Sequence, residues 1–151
     1  MKINLTQNKN FKLFKIISKV AQENNQTVYI VGGYVRDLLM QRKAPTDIDF
    51  VTEQSGIELA KAVGKELGDL KVSVFKTYGT AMIKYKDLDL EFVGARKESY
   101  SEDSRKPAVE TGTLEDDQKR RDFTVNALAI SLNAENFGEL IDPFNGREDM
   151  Q

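Results

Sequence analysis

Two stretches, DIDFV at 47–51 and LDLEFV at 88–93, constrain the fold more than any other part of the chain. Successive side chains of a strand point to opposite faces, so Ile48 and Phe50 share one face while Asp47 and Asp49 share the other. Leu88, Leu90 and Phe92 alternate in the same way with Asp89, Glu91 and Val93. Each stretch therefore reads as a strand with one apolar face that needs cover and one acidic face.

The remaining elements follow from periodicity and punctuation. Leu13, Phe14, Ile17, Val20 and Ala21 form one helical stripe, which predicts an amphipathic helix from about Asn10 to Glu23 that ends at the polar NNQ. TVYIV is β-branched and aromatic and predicts a buried strand. Gly32 and Gly33 then permit a tight turn into a helix carrying Val35, Leu38 and Leu39. KAPT reads as a loop. Ser55 and Glu58 have capping-box spacing, and Gly68 suits a helix end, so a second clear helix is expected over about 56–67. KVSVFK, TAMIKY and LDLEFVG read as three strands with turns at TYG and KD. The segment 95–113 is polar and without periodicity, which predicts a mobile surface loop. LEDDQKRR predicts a short helix with acids in its first turn and bases in its last, and NALAISL and ELID read as strands.

Composition narrows the chemistry. The 151 residues suit one domain, and no apolar run approaches the roughly 20 residues that span a bilayer. The polar MKINLTQNKN start has no apolar signal core, so the expected location is cytoplasmic, with no membrane partner. There are no cysteines and no histidines, which removes disulfide partners, thiolate nucleophiles, imidazole metal ligands and the histidine-based triads. Catalysis must rest on carboxylates, lysines, arginines, hydroxyls and hard metal ions. The net charge of -2 argues against gripping nucleic acid by bulk charge, although a local basic patch is compatible with it.

Asp47 and Asp49, spaced i, i+2 on a strand, offer hard oxygen ligands of the kind Mg²⁺ takes in company with substrate phosphates. The same spacing also suits a solvated strand face. A third acid on the acidic face of another strand, Glu91 or Asp89, would extend the set toward a two-metal site for in-line displacement. Gly32 and Gly33 at a helix start leave backbone N–H groups open to a phosphate, and Arg36 lies one turn further on. A plain strand-to-helix turn with a surface arginine is the alternative. Neither the Gly-x-x-x-x-Gly-Lys-Ser/Thr loop nor Gly-x-Gly-x-x-Gly occurs.

GGYVRDLL, then TDIDFV, then RRDFTVNALA at 120–129 with IDPFNG after it resembles, in order, the N-terminal head of class II tRNA nucleotidyltransferases (CCA-adding enzymes) and bacterial poly(A) polymerases. The resemblance runs from about Val28 to Gly146. It implies an α+β fold of the polymerase-beta-type nucleotidyltransferase head, a mixed or antiparallel sheet of about five to seven strands flanked by helices. Template-independent transfer of a nucleotide from CTP or ATP to the 3′ end of tRNA or another RNA would follow, with two Mg²⁺ ions in the catalytic complex. By position, it assigns Gly32, Gly33 and Arg36 to the triphosphate and Asp47 and Asp49 to Mg²⁺. Glu91, five residues before Arg96 in EFVGAR, is the implied third acid, with Asp89 left open on the same face. Arg121, Asp122 and Asn126 would hold the nucleotide's sugar and phosphates, unless they form an arginine–aspartate pair that orders a helix end.

The family's base-selecting Glu-Asp-x-x-Arg segment and its RNA-holding neck, body and tail are expected to lie beyond residue 151. CCA, CC-only, A-only and poly(A) addition therefore stay open. Outside that reading stand a non-catalytic nucleotide-binding module of the same fold and a transferase acting on a protein or small molecule.

Overall fold

The computed structural model describes residues 1–42, 46–100, 107–119 and 127–142. Helix α1 (Phe11–Glu23) forms where the apolar stripe requires it, and Leu13, Phe14, Ile17, Val20 and Ala21 are all buried. Strand β1 (Tyr29–Val31) runs into Gly32 and helix α2 (Gly33–Leu39), and β2 (Asp47–Thr52) follows. Helix α3 (Gly56–Glu66) opens on Ser55, whose Oγ accepts the Glu58 N–H at 3.2 Å, and Gly68 beyond its end has φ +110°. Strands β3 (Val72–Phe75), β4 (Thr80–Tyr85) and β5 (Leu88–Gly94) come next, then β6 (Arg96–Tyr100), β7 (Pro107–Thr111), α4 (Leu114–Lys119), β8 (Ala129–Ser131) and β9 (Leu140–Ile141).

Seven strands form one sheet in the order β3-β4-β5-β2-β1-β8-β9. Every pairing in it is antiparallel except β2 with β5. The mixed sheet matches the sequence expectation, and the three strands predicted within 71–94 form, with turns at Gly79 and Lys86, both at positive φ.

One face of this sheet carries the main core. Phe50 and Phe92 are register partners and stack at 5.0 Å between ring centroids, and Phe14 of α1 meets Phe50 edge-on at 6.3 Å. Ile30, Ile48, Leu90, Ala81, Ile83 and Ile130 complete that face, with Leu59, Ala60 and Val63 of α3 against it. Each such large side chain contributes on the order of 1.5–3 kcal/mol when withdrawn from water. Helix α3 starts so close to β5 that a Cβ on Gly56 would lie 2.8 Å from the Gly94 nitrogen. The N-terminal residues border the opposite sheet edge, where Ile3 N–H donates to Gly138 O and Leu140 N–H to Met1 O.

The segment predicted as a mobile loop departs from expectation. Strands β6 and β7 pair antiparallel as a separate two-stranded ribbon, with Glu98 opposite Val109. A ribbon outside the main sheet need not bury one whole face, so its sequence lacks the apolar alternation by which strands are recognised. Residues 43–45, within the predicted KAPT loop, and 101–106, within the predicted polar segment, lie outside the described residues.

Candidate active site

The second face of the sheet is where the acidic residues lie. Because β2 and β5 run parallel with Asp47 opposite Asp89 and Asp49 opposite Glu91, four carboxylates occupy one patch on neighbouring strands. The apolar partners Ile48, Phe50, Leu90 and Phe92 fix this arrangement, since a slip of one residue would turn the acids into the core. Asp47 is exposed, and Asp49, Asp89 and Glu91 are half-buried. Both candidates for the third acid thus face the aspartate pair, Glu91 as the register partner of Asp49 and Asp89 as that of Asp47. Among the described residues, no three acidic side chains gather into a closed metal cage. Mg²⁺ does not require one, because it is usually held by one or two carboxylates together with substrate phosphates and water.

The glycine turn adjoins this patch directly. Val31 is the β1 partner of Asp49, and Gly32 follows it with φ +77° and ψ -147°, a conformation that glycine alone adopts readily. A Cβ there would stand 3.3 Å from Asp49 Oδ2. Gly33 begins α2, and its Cα is overhung by the Arg36 guanidinium, with Nη2 3.3 Å from the position a Cβ would take. Arg36 Nε donates to Asp37 Oδ1 at 3.2 Å, and Arg42 lies 3.9 Å from the same oxygen. The predicted cation therefore lies beside the predicted anion turn. Asp37, which holds it there, went unmarked in the sequence, where its only signal is adjacency to Arg36.

Tyr34 of α2 is held from behind. Its hydroxyl accepts from Asn10 Nδ2 and donates to Asn8 Oδ1, each at 3.1 Å, and its ring meets Phe14 edge-on. This polar link between the start of α1 and the start of α2 had no periodic signature by which the sequence could show it.

Helix α4 caps the other part of the second face, where Leu114 joins Val31, Val51, Ala95 and Ala129 in a small apolar cluster. Its start is fixed by a reciprocal box, Thr113 N–H to Asp116 Oδ2 at 3.0 Å and Asp116 N–H to Thr113 Oγ1 at 3.2 Å. The Thr-x-x-Asp spacing is the signal that could have marked this cap, which went unmarked in the sequence reading. Glu53 accepts from the Leu114 N–H and from the Tyr29 hydroxyl, at 2.9 and 3.2 Å. Burial, followed by the charge and hydrogen bond of Glu53, pushes the Tyr29 hydroxyl up to about 12. Arg121, Asp122 and Asn126 lie outside the described residues. Their flanks are joined, because buried Gln118 donates from Nε2 to Ala127 O at 2.8 Å.

Carboxylates, glycine turn and guanidinium thus meet at the junction of β1, β2, β5 and α2, an arrangement suited to holding a polyphosphate and its counter-ions. A family described as the poly A polymerase head domain matches residues 28–151. The chain belongs to that family. It is 47% identical over 123 residues to the A-adding tRNA nucleotidyltransferase of Aquifex aeolicus, covering 82% of this chain and 15% of that one. With the A-adding tRNA nucleotidyltransferase of Geobacter sulfurreducens it shares 41% over 140 residues, 92% of this chain and 16% of the relative. A solved tRNA-processing enzyme in an apo form superposes with a TM-score of 0.85 at 40% identity, over 99% of this chain and 36% of the other. A tRNA nucleotidyltransferase complexed with a primer tRNA and an ATP analog gives 0.76 at 42% identity, over 89% of this chain and 36% of the other. The seven-stranded mixed sheet and its helices are the nucleotidyltransferase head fold of these enzymes. The chain spans only 15% and 16% of the two named relatives' length.

Proposed function

We propose that this chain is the catalytic head of an RNA nucleotidyltransferase that transfers a nucleoside monophosphate from ATP or CTP to the 3′ end of a tRNA. The observation that carries this is the meeting of three elements at one point: Asp49 stands opposite Glu91 in the parallel register and against the Cα of Gly32. Gly32 and Gly33 present backbone to the triphosphate with no Cβ in the way, and Arg36 offers its guanidinium beside them. Asp47, Asp49 and Glu91 supply the oxygen donors that would hold Mg²⁺, with Asp89 adjoining Asp47. When bound, the metal supplies charge neutralisation on the phosphates and lowers the pKa of the attacking hydroxyl. The reaction joins the RNA 3′-oxygen to the α-phosphorus and breaks the bond from that phosphorus to pyrophosphate. The carboxylates hold their charge at the reacting phosphate, and the glycine turn and Arg36 hold the part that leaves. Arg121, Asp122 and Asn126 are assigned to the nucleotide's sugar and phosphates by their motif.

The test is calorimetric titration of ATP and CTP with and without Mg²⁺, beside Asp47→Ala/Asp49→Ala. Metal-dependent binding in the wild type that disappears in the variant supports the reading, and metal-dependent binding that survives in the variant removes these aspartates from the site. Addition of adenylate alone is a second reading, favoured by the name that the 47% and 41% identical relatives bear, whereas a CCA-adding relative stands at 37%. A tRNA ending in CC accepts a nucleotide under both readings. One lacking the terminal CC accepts it only under CCA addition.

A further inference from the structure

Building on the transferase reading, we infer that the sheet edge formed by β3 and β4 is the seat of the acceptor strand, a single-stranded RNA segment just upstream of its reacting 3′ terminus. The argument starts from sidedness. In-line displacement puts the attacking and leaving oxygens on opposite sides of the phosphorus. The glycine turn lies at the end of β1, on one side of β2, whereas β5, β4 and β3 lie in that order on the other. With the leaving phosphates at Gly32 and Gly33, the hydroxyl must approach across Glu91 from β5, β4 and β3.

The side chains on that approach fit a nucleic-acid strand. Lateral register on the second face runs from Asp49 to Glu91, Met82 and Ser73, and the neighbouring row from Asp47 to Asp89 and Lys84. Lys71, two residues before Ser73, extends that side of the edge. A cleft of about 300 Å³ is lined here by Lys71, Ser73, Phe75, Met82, Lys84 and Asp89, so it shares Asp89 with the acidic patch. Lys71 and Lys84 are exposed, and Phe75 shows 46% of its surface to solvent although it is a large apolar side chain. Outward-facing lysines and an exposed ring complement phosphates and an unstacked base, the pairing by which single strands are held without sequence preference. Adjacent strands are about 4.8 Å apart, so β3 lies roughly 14 Å from β2, within reach of the nucleotides that precede the terminus.

The test uses RNA oligonucleotides with 4-thiouridine near the 3′ end, photocrosslinked to the chain and mapped by mass spectrometry. Alongside it, RNA affinity is measured against salt for Lys71→Gln/Lys84→Gln, Phe75→Ala and Phe75→Tyr, and Mg²⁺-dependent ATP binding is measured for each. Crosslinks are expected within 71–84. Loss of two phosphate contacts should flatten the log affinity against log salt slope by about 1.4. Phe75→Ala should weaken RNA binding about 10-fold, with Phe75→Tyr near wild type and ATP binding unchanged throughout. Crosslinks confined to other segments, or an unaltered slope and affinity, in a chain that binds ATP normally would overturn the inference and leave the transferase reading standing. A wild-type chain that binds no ATP with Mg²⁺ would remove both.

Discussion

Gly32→Ala tests the junction between backbone geometry and the acidic patch. At φ +77° and ψ -147° the native backbone lies where an L side chain is strained, at a cost of about 1–3 kcal/mol. The new methyl would also stand 3.3 Å from Asp49 Oδ2, so the carboxylate must give way by a few tenths of an ångström or the turn must open. For a chain of this size about 1–3 kcal/mol corresponds to a fall in Tm of roughly 2–12 °C. Gly33→Ala is the matched control. Its φ is not in the left-handed region, and the atom its methyl would meet is the mobile end of Arg36. In a helix, alanine is favoured over glycine by up to about 1 kcal/mol, so the control should be neutral or stabilised. Urea unfolding gives the two midpoints, and calorimetry with ATP and Mg²⁺ reads the site. The reasoning is refuted if Gly32→Ala unfolds at the wild-type midpoint and binds ATP with wild-type affinity.

Asp49→Asn should abolish Mg²⁺-dependent ATP binding, read by calorimetry, and lower the rate of nucleotide addition on the order of 100-fold or more. For Tyr29, a folded-state value of about 12 against an ordinary 10 means that the folded chain keeps a proton that the unfolded chain releases. Its contribution to stability is therefore full below about pH 10 and is lost as pH rises through about 12. Denaturation measured across that window should show the loss in the wild type and a shallower one in Tyr29→Phe. Ser55→Ala removes the hydroxyl that accepts the Glu58 N–H and should cost about 1 kcal/mol by urea unfolding, without changing ATP binding.

What the sequence disclosed follows a physical division. Helices α1 and α3 and strands β2 and β5 were legible because each buries one face of a repeating pattern, and Ser55 and Gly68 marked the ends of α3. The glycine turn and the acidic residues were legible as residue types, and the ordered motifs supplied the roles proposed for them. Register was not, because the pairing of Asp49 with Glu91 is made between strands far apart in the chain, with α3, β3 and β4 intervening. The β6–β7 ribbon escaped because its sequence carries no apolar alternation. Glu53, Asn8, Asn10 and Asp37 escaped for another reason: each is a lone polar residue whose meaning comes from a partner that only the folded chain supplies.

The parallel pairing of β2 with β5 also bears on the order in which the chain assembles. No hairpin can join two parallel strands, so the chain from Glu53 to Asp87 must cross over before Asp49 reaches Glu91. By contrast, β4 and β5 close on each other through the short turn at Lys86, and β3 and β4 through Gly79. Glu91 and Asp89 can thus enter a locally formed meander while Asp47 and Asp49 still lie on a separate strand. Docking of β2 then brings like charges together at a late step, driven by Phe50 closing over Phe92 on the reverse face. Screening should ease that step, so folding measured by stopped flow is expected to accelerate with moderate salt while unfolding changes less. A folding rate indifferent to salt would refute the idea that the patch which would hold metal ions slows its own formation.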